Sequence, residues 1–382
     1  MLAWTIVLLG CRGDHEVDGI GADDTGDTAQ APAIEIPLAG CYYYRTADVA
    51  IGEQHFQLVI DSGSTTLAVS ADPCPSCLED GVEELYDTTH GTDMGQSASG
   101  RYSNGELGWS GRVYFDTVSM GGIEPVGMSF VAVSDQDFMF GTHTCNGDTL
   151  PVDGILGLRQ DAALVSGTDS YLTQVVRSAG VDDSFAIRTC PVGGALWLGG
   201  YDESHTTGAM SWASFASSTS YSVYVTGFAV VAQDGTTTEA PLESTEPALL
   251  DSGGPHLLIP PFAYEPLIRA IASDPASLAL GGLGWWGGTT PTTSSLPPDE
   301  IDATLPRLLV HVGVDAPIEL TLTATQSYLE WGQLEADQWW YAPNVAPYDD
   351  FVDLGNIPMN AYVVYTDRSL ERIGFAPAVA CD

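Results

Sequence analysis

Two aspartates stand in matching surroundings along this chain of 382 residues. Asp61 lies within FQLVIDSGSTTLAVS and Asp251 within PALLDSGGPHLLIP. In each, an apolar run leads into Asp-Ser-Gly, a short polar step follows, and a second apolar run resumes. A carboxyl accepts hydrogen bonds when ionised and donates one when protonated, so two of them can serve as base and acid. Face to face, two carboxyls cannot both ionise readily. They share a proton, and the resulting pKa values belong to the pair. The charged member can take a proton from water while the protonated member polarises a carbonyl oxygen. One Asp-Ser-Gly is an ordinary turn. Here each copy is followed by an element read as apolar-apolar-glycine. These are Ile155-Leu156-Gly157 and Asp353-Leu354-Gly355, whose glycines lie 96 and 104 residues beyond the aspartates. The similar spacing indicates two copies of one folding unit.

The elements that must position these acids read as strands. Short Val/Ile/Thr/Tyr runs recur between Gly, Asp and Pro, as in YSVYVTGFAVVAQDG and AYVVYTD. A helical period is rarely sustained, which predicts an all-β fold of many short strands. Apolar strands would bury the backbone approaching each carboxyl. Gly63 and Gly253 would permit the tight loops that follow. The chain holds 51 acidic against 11 basic residues, a net charge of −40. Nucleic-acid binding needs basic clusters and is therefore not expected. Such a charge keeps a protein soluble but self-repelling at neutral pH, a strain that acid relieves. Seven histidines are scattered without ligand spacing, so neither metal nor cofactor is expected. No Gly-x-Ser-x-Gly elbow or Ser-His-Asp order is present.

Residues 1–11 read as a short signal segment: Leu8, Leu9 and Gly10 precede Cys11, resembling a bacterial lipoprotein signal in which Cys11 is lipidated. Such a protein is anchored to a membrane rather than spanning it. Residues 12–38 are acidic and poor in aromatics and read as a disordered tether. Six further cysteines remain, at 41, 74, 77, 145, 190 and 381. An even number in an exported chain favours disulfides, with fifteen pairings open.

From about residue 38 to 382, the chain resembles the pepsin family of aspartic peptidases. The paired Asp-Ser-Gly carries the resemblance, with VDGILGL, the segment around Tyr102-Ser-Asn-Gly, and NAYVVYTDRSLERIGFAPAVACD. It implies a bilobal pepsin-like acid protease fold, two β-barrel-like lobes related by a pseudo-two-fold, over residues 39–200 and 201–382. It makes Asp61 and Asp251 catalytic, and gives Ser62 and Ser252 reciprocal hydrogen bonds between the two loops. Ser64 would donate to the Asp61 carboxylate. Tyr102, Ser103 and Gly105 would belong to a flap closing over substrate. The second half, with LLIPPFAYEPLIRAI, GWWGGTTP and LTATQSYL, resembles the β-secretase branch. The resemblance implies the disulfides Cys190–Cys381 and Cys74–Cys77, with Cys41 and Cys145 as the remaining pair.

Three departures matter. Gly254 replaces the usual Ser or Thr after the second Asp-Ser-Gly, removing a hydroxyl from Asp251 and raising the pKa expected there. Ala68 stands where the family tends to place a tryptophan against the flap tyrosine, so Tyr102 is expected to be less firmly held; Trp109 either packs nearby or, as the preferred reading, is a hairpin aromatic. The 27 residues from Arg12 to Leu38 are acidic, unlike the family's basic prosegment, so no zymogen step is expected. The expected protein is a monomeric, exported endopeptidase of the cell envelope or medium, acting on peptides or proteins at acid pH with apolar residues flanking the scissile bond. The alternative is a catalytically weak or inactive surface protein that binds peptides on the same scaffold.

Overall fold

The structure is a computed structural model, and it describes residues 33–381 apart from 42–43, 103–106, 146–147, 160–169, 315–316, 336 and 349–350. Cys11, Ser103 and Gly105 lie outside the described residues.

The described chain is built mainly of strands, in one sheet of thirteen and another of seven among the described residues. The first half begins with Ile34–Cys41, Tyr44–Ile51 and Gln54–Asp61, joined as antiparallel neighbours. Ile34–Cys41 alternates, burying Ile36 and Leu38 and exposing Glu35 and Pro37, as a strand with one covered face must. Residues 34–38 therefore belong to the sheet rather than to the tether assigned to 12–38. Their apolar alternation outweighs the acidic composition of the residues before them.

Gly154–Gly157 lies between the two legs of the first aspartate loop. It runs parallel to Gln54–Asp61, with Leu156 opposite Ile60, and antiparallel to Leu67–Ser70, with Leu156 opposite Leu67. Strands this central are covered on both faces, so Leu58, Val59 and Ile60 are all buried. In the second half Val352–Asp353 plays the same part. It is parallel to Thr237–Leu249 and antiparallel to Leu257–Ile259. Each inserted strand holds apart the legs of its loop and leaves Asp61 or Asp251 at the tip.

The halves share a sheet. Tyr362–Asp367 pairs with Ser184–Thr189, and Ile34–Leu38 pairs with Val192–Leu198. Strands on both sides of the 200/201 boundary thus form one continuous layer. Cys190–Cys381 fastens the end of the chain to it, and Cys41–Cys145 and Cys74–Cys77 close bridges in the first half. No helix among the described residues is long and apolar enough to cross a membrane.

Candidate active site

Asp61 ends its strand and Asp251 follows the end of Thr237–Leu249 by two residues. The loops beyond them are tied to each other by four hydrogen bonds. Ser62 N donates to Ser252 Oγ and Ser252 N to Ser62 Oγ, both at 2.9 Å. Ser62 Oγ donates to Leu250 O and Ser252 Oγ to Ile60 O, both at 2.7 Å. Ser62 and Ser252 are buried, so these bonds are shielded from competing water. Two loops crossed in this way cannot slide apart without leaving buried donors unpaired.

The carboxyls are placed by backbone as well. Gly63 N donates to Asp61 Oδ1 and Gly253 N to Asp251 Oδ1, both at 2.8 Å. Each glycine also backs onto the opposite acid. A Cβ on Gly63 would lie 2.5 Å from Asp251 Oδ2, and one on Gly253 would lie 2.9 Å from Asp61 Oδ1. The two glycines are thus required by close approach. The two carboxyls are therefore close enough for each to act directly on the other. Asp61 is 4 % exposed and Asp251 is half-buried. Burial pushes the Asp251 pKa well above the usual carboxylate range, and the charges of Asp61 and Asp353 push it further, against the Gly253 N–H. The pair therefore holds one proton where isolated carboxylates hold none.

The backbone beyond the loops follows the two-fold only to within one residue. Arg159 N donates to Ser64 O, and Asn356 N donates to Gly254 O, both at 2.8 Å. The side chains differ. Ser64 Oγ is buried and makes no hydrogen bond to Asp61. The expected Ser64–Asp61 contact is absent because this hydroxyl lies towards Tyr102 instead. At Gly254 there is no hydroxyl at all.

Tyr102 ends the strand Thr92–Tyr102 and pairs with Leu107 of Leu107–Ser119. Gly100 pairs with Trp109 in the same hairpin, and Trp109 is 3 % exposed with its indole laid across Gly100. Tyr102 and Trp109 therefore share one face. Burial raises the Tyr102 pKa beyond the ordinary phenol value, with Asp61 adding to it, while Trp109 and Ser64 beside the hydroxyl act the other way. Trp109 is thus not merely a hairpin aromatic: it stands against the tyrosine. Ala68 is fully buried, paired with Ile155 on one neighbouring strand and Val131 on the other.

Asp353 departs from the apolar-apolar-glycine pattern expected of its element. It is a buried acid, 7 % exposed. Burial pushes its pKa up to about 7, the Gly355 N–H pulls it back, and Asp61 raises it. The signal lay in the repeat itself, since Ile155 occupies the matching place in the first copy. Elsewhere, donor atoms of Glu35, Asp202 and His205 lie within 4.8 Å of one another, a grouping that sequence spacing did not reveal. Glu35 accepts from the Trp197 indole at 3.0 Å and His205 faces Arg188 at 3.2 Å, so the group is part of a surface network.

Residues 42–378 match the model of the eukaryotic aspartyl protease family. The chain is 23 % identical to pepsin-2B of Gadus morhua over 343 residues, covering 88 % of this chain and 96 % of that one. It is 26 % identical to cathepsin E of Mus musculus over 245 residues, 61 % of this chain and 57 % of that one. An aspartic protease of Phaffia rhodozyma is 29 % identical over 168 residues, 44 % of this chain and 40 % of that one. The matched stretches thus span about two fifths to three fifths of the length of the latter two relatives. With a family match across nearly all of the described residues, the chain belongs to the eukaryotic aspartyl protease family.

Proposed function

We propose that this protein is an aspartic endopeptidase that hydrolyses peptide bonds with water activated between Asp61 and Asp251. One observation carries the reading: two loops from opposite halves, cross-tied through Ser62 and Ser252, bring two carboxyls together. Asp251, the member whose proton is held more tightly, donates it to the scissile carbonyl oxygen. Asp61 takes a proton from the attacking water, giving a tetrahedral diol. Asp61 then passes that proton to the leaving nitrogen as the C–N bond breaks, and the diol hydroxyl returns its proton to Asp251 as the carbonyl re-forms. An extended peptide would lie between the halves under Tyr102, its backbone docked as a strand with apolar side chains beside the scissile bond. The raised Asp251 and the acidic surface support work below neutral pH.

The paired cysteines support an exported protein. The Leu-Leu-Gly-Cys11 segment supports a lipid anchor at the cell envelope, and the wording of the second half supports a β-secretase-like branch. Residues 39–200 and 201–382 serve as the two lobes in this reading, and a monomer suffices for the site.

The test is digestion of a peptide library between pH 3 and 7, with and without pepstatin, beside Asp61→Asn. Pepstatin-sensitive cleavage that falls by at least about 10²-fold in the variant is the expected result. Gly254 favours a second reading, a peptide-binding protein of low activity. That reading gains if pepstatin binds and no peptide is cut at any pH.

A further inference from the structure

The second aspartate loop holds a carboxyl that its counterpart lacks. Val59, two residues before Asp61, pairs with Ile155. Leu249, two residues before Asp251, pairs with Asp353. The two-fold relation therefore sets an acid where the first half has an isoleucine that is 2 % exposed. Asp353 also pairs with Leu258 of Leu257–Ile259, so apolar strands flank it on both sides. Its Oδ1 accepts from Gly355 N at 2.8 Å, and Gly355 O accepts from Asp251 N at 3.2 Å. One peptide segment thus connects the Asp353 side chain to the Asp251 backbone. A carboxyl buried among strands costs free energy that isoleucine would not.

We propose that Asp353 is a third carboxyl of this site, a positioning residue whose charge acts through Asp251 to keep the shared proton on the aspartate pair and extend the working pH range upward. The proposal rests on the peptidase reading for its effect on turnover, though the coupling itself does not.

The direction follows from the charges. Asp353 titrates near 7, with burial the main cause. Below that pH it is neutral and leaves the pair alone. Above it, a negative charge behind Asp251 opposes a further negative charge there. The pair thus keeps its single-proton form into the neutral range. The acids that face Asp353 electrostatically are Asp61 and Asp251. His256, leading into Leu257–Ile259, turns its Nδ1 to Asn344 Oδ1 at 2.6 Å. The Arg159 guanidinium sits on the first loop, against Gly63 O at 3.3 Å.

Two variants and two readouts test this. Asp353→Asn keeps an acceptor for the Gly355 N–H, and Asp353→Ile installs the residue of the first half. Profiles of kcat/KM against pH should lose their alkaline side in both. The basic limb should move down by about one pH unit or more, giving about a tenfold loss above it, with the acid limb in place. Carbon-13 titration of the aspartate carboxyls in the wild-type protein should show Asp353 titrating near neutrality and Asp251 responding at the same step. An Asp353 that titrates in the ordinary carboxylate range, or an Asp353→Asn profile that superimposes on the wild type, overturns the proposal. A change confined to Asp353→Ile also overturns it, since packing alone would explain that. If the wild type cuts nothing at any pH, the peptidase reading fails, and the titration still decides whether the third carboxyl is coupled.

Discussion

At position 254 the second half carries glycine where the first carries Ser64. A Cβ there would lie 3.3 Å from Asp251 Oδ2 and 3.4 Å from its Cγ, a close fit that a small shift accommodates. Gly254→Ser should therefore fold. A serine hydroxyl donating to Asp251 would stabilise its ionised form and lower its pKa. The expected outcome is a basic limb of kcat/KM displaced towards acid, measured on the peptide substrate found in the library digest; an unmoved limb would refute it. Gly63→Ala is the opposite case, because its Cβ would fall 2.5 Å from Asp251 Oδ2. One carboxyl must move, and a displacement of about 1 Å can cost on the order of 10²-fold in rate. We expect Gly63→Ala to lose at least that much kcat/KM while pepstatin-free thermal stability changes less. At this scale much was legible: the two Asp-Ser-Gly triplets declare both acids, both serines and both glycines. Asp353 was not, because the second Leu-Gly element was matched on its last two residues, and the acid before them was absorbed into an apolar template.

The hairpin formed by Thr92–Tyr102 and Leu107–Ser119 shows how an element can supply a contact that no single position announces. A reading that looks for tryptophan at position 68 finds alanine and expects a loosely held tyrosine. The pairing of Gly100 with Trp109 and of Tyr102 with Leu107 instead puts an indole on the tyrosine's own face. The glycine at 100 is what admits it, since a Cβ there would meet the ring at 2.6 Å. The two-residue period of a strand contains this information, but only once the turn between the strands is fixed. Trp109→Ala should destabilise the first half by about 3–5 kcal/mol, the usual cost of emptying so large a buried site. Trp109→Phe retains most of the apolar fill and removes the indole N–H beside Tyr102. We expect it to raise KM several-fold with a much smaller drop in melting temperature. Equal effects of the two variants on melting, with KM unchanged, would show that the indole packs without holding Tyr102.

Across the whole molecule, stability should be greatest in mild acid, for two reasons that act together. The net charge of −40 makes the compact state self-repelling near neutrality. In addition, Asp353 is pushed up to about 7 and Asp153 to about 6, burial being the main cause in each, and Asp251 and Asp302 are raised as well. An unfolded aspartate titrates near 3.9, so between about pH 4 and 7 the folded chain binds more protons than the unfolded one. Stability from these groups is complete below about pH 4 and declines as pH rises through their folded values. Asp87, Asp93, Asp202 and Asp234 are lowered by hydrogen bonds to nearby side chains and backbone, so their contribution is lost on acidification below about pH 4. These opposing slopes put the maximum near pH 4. The urea midpoint should therefore fall from pH 4.5 to pH 7, and added salt should raise the pH 7 midpoint more than the pH 4.5 one by screening the surface charge. Asp353→Asn should flatten the decline without abolishing it, because the surface repulsion and the other raised carboxyls remain. A midpoint that climbs between pH 4.5 and 7 would mean that the buried acids are ionised at no cost, and the single shared proton on which the catalytic reading depends would lose its physical basis.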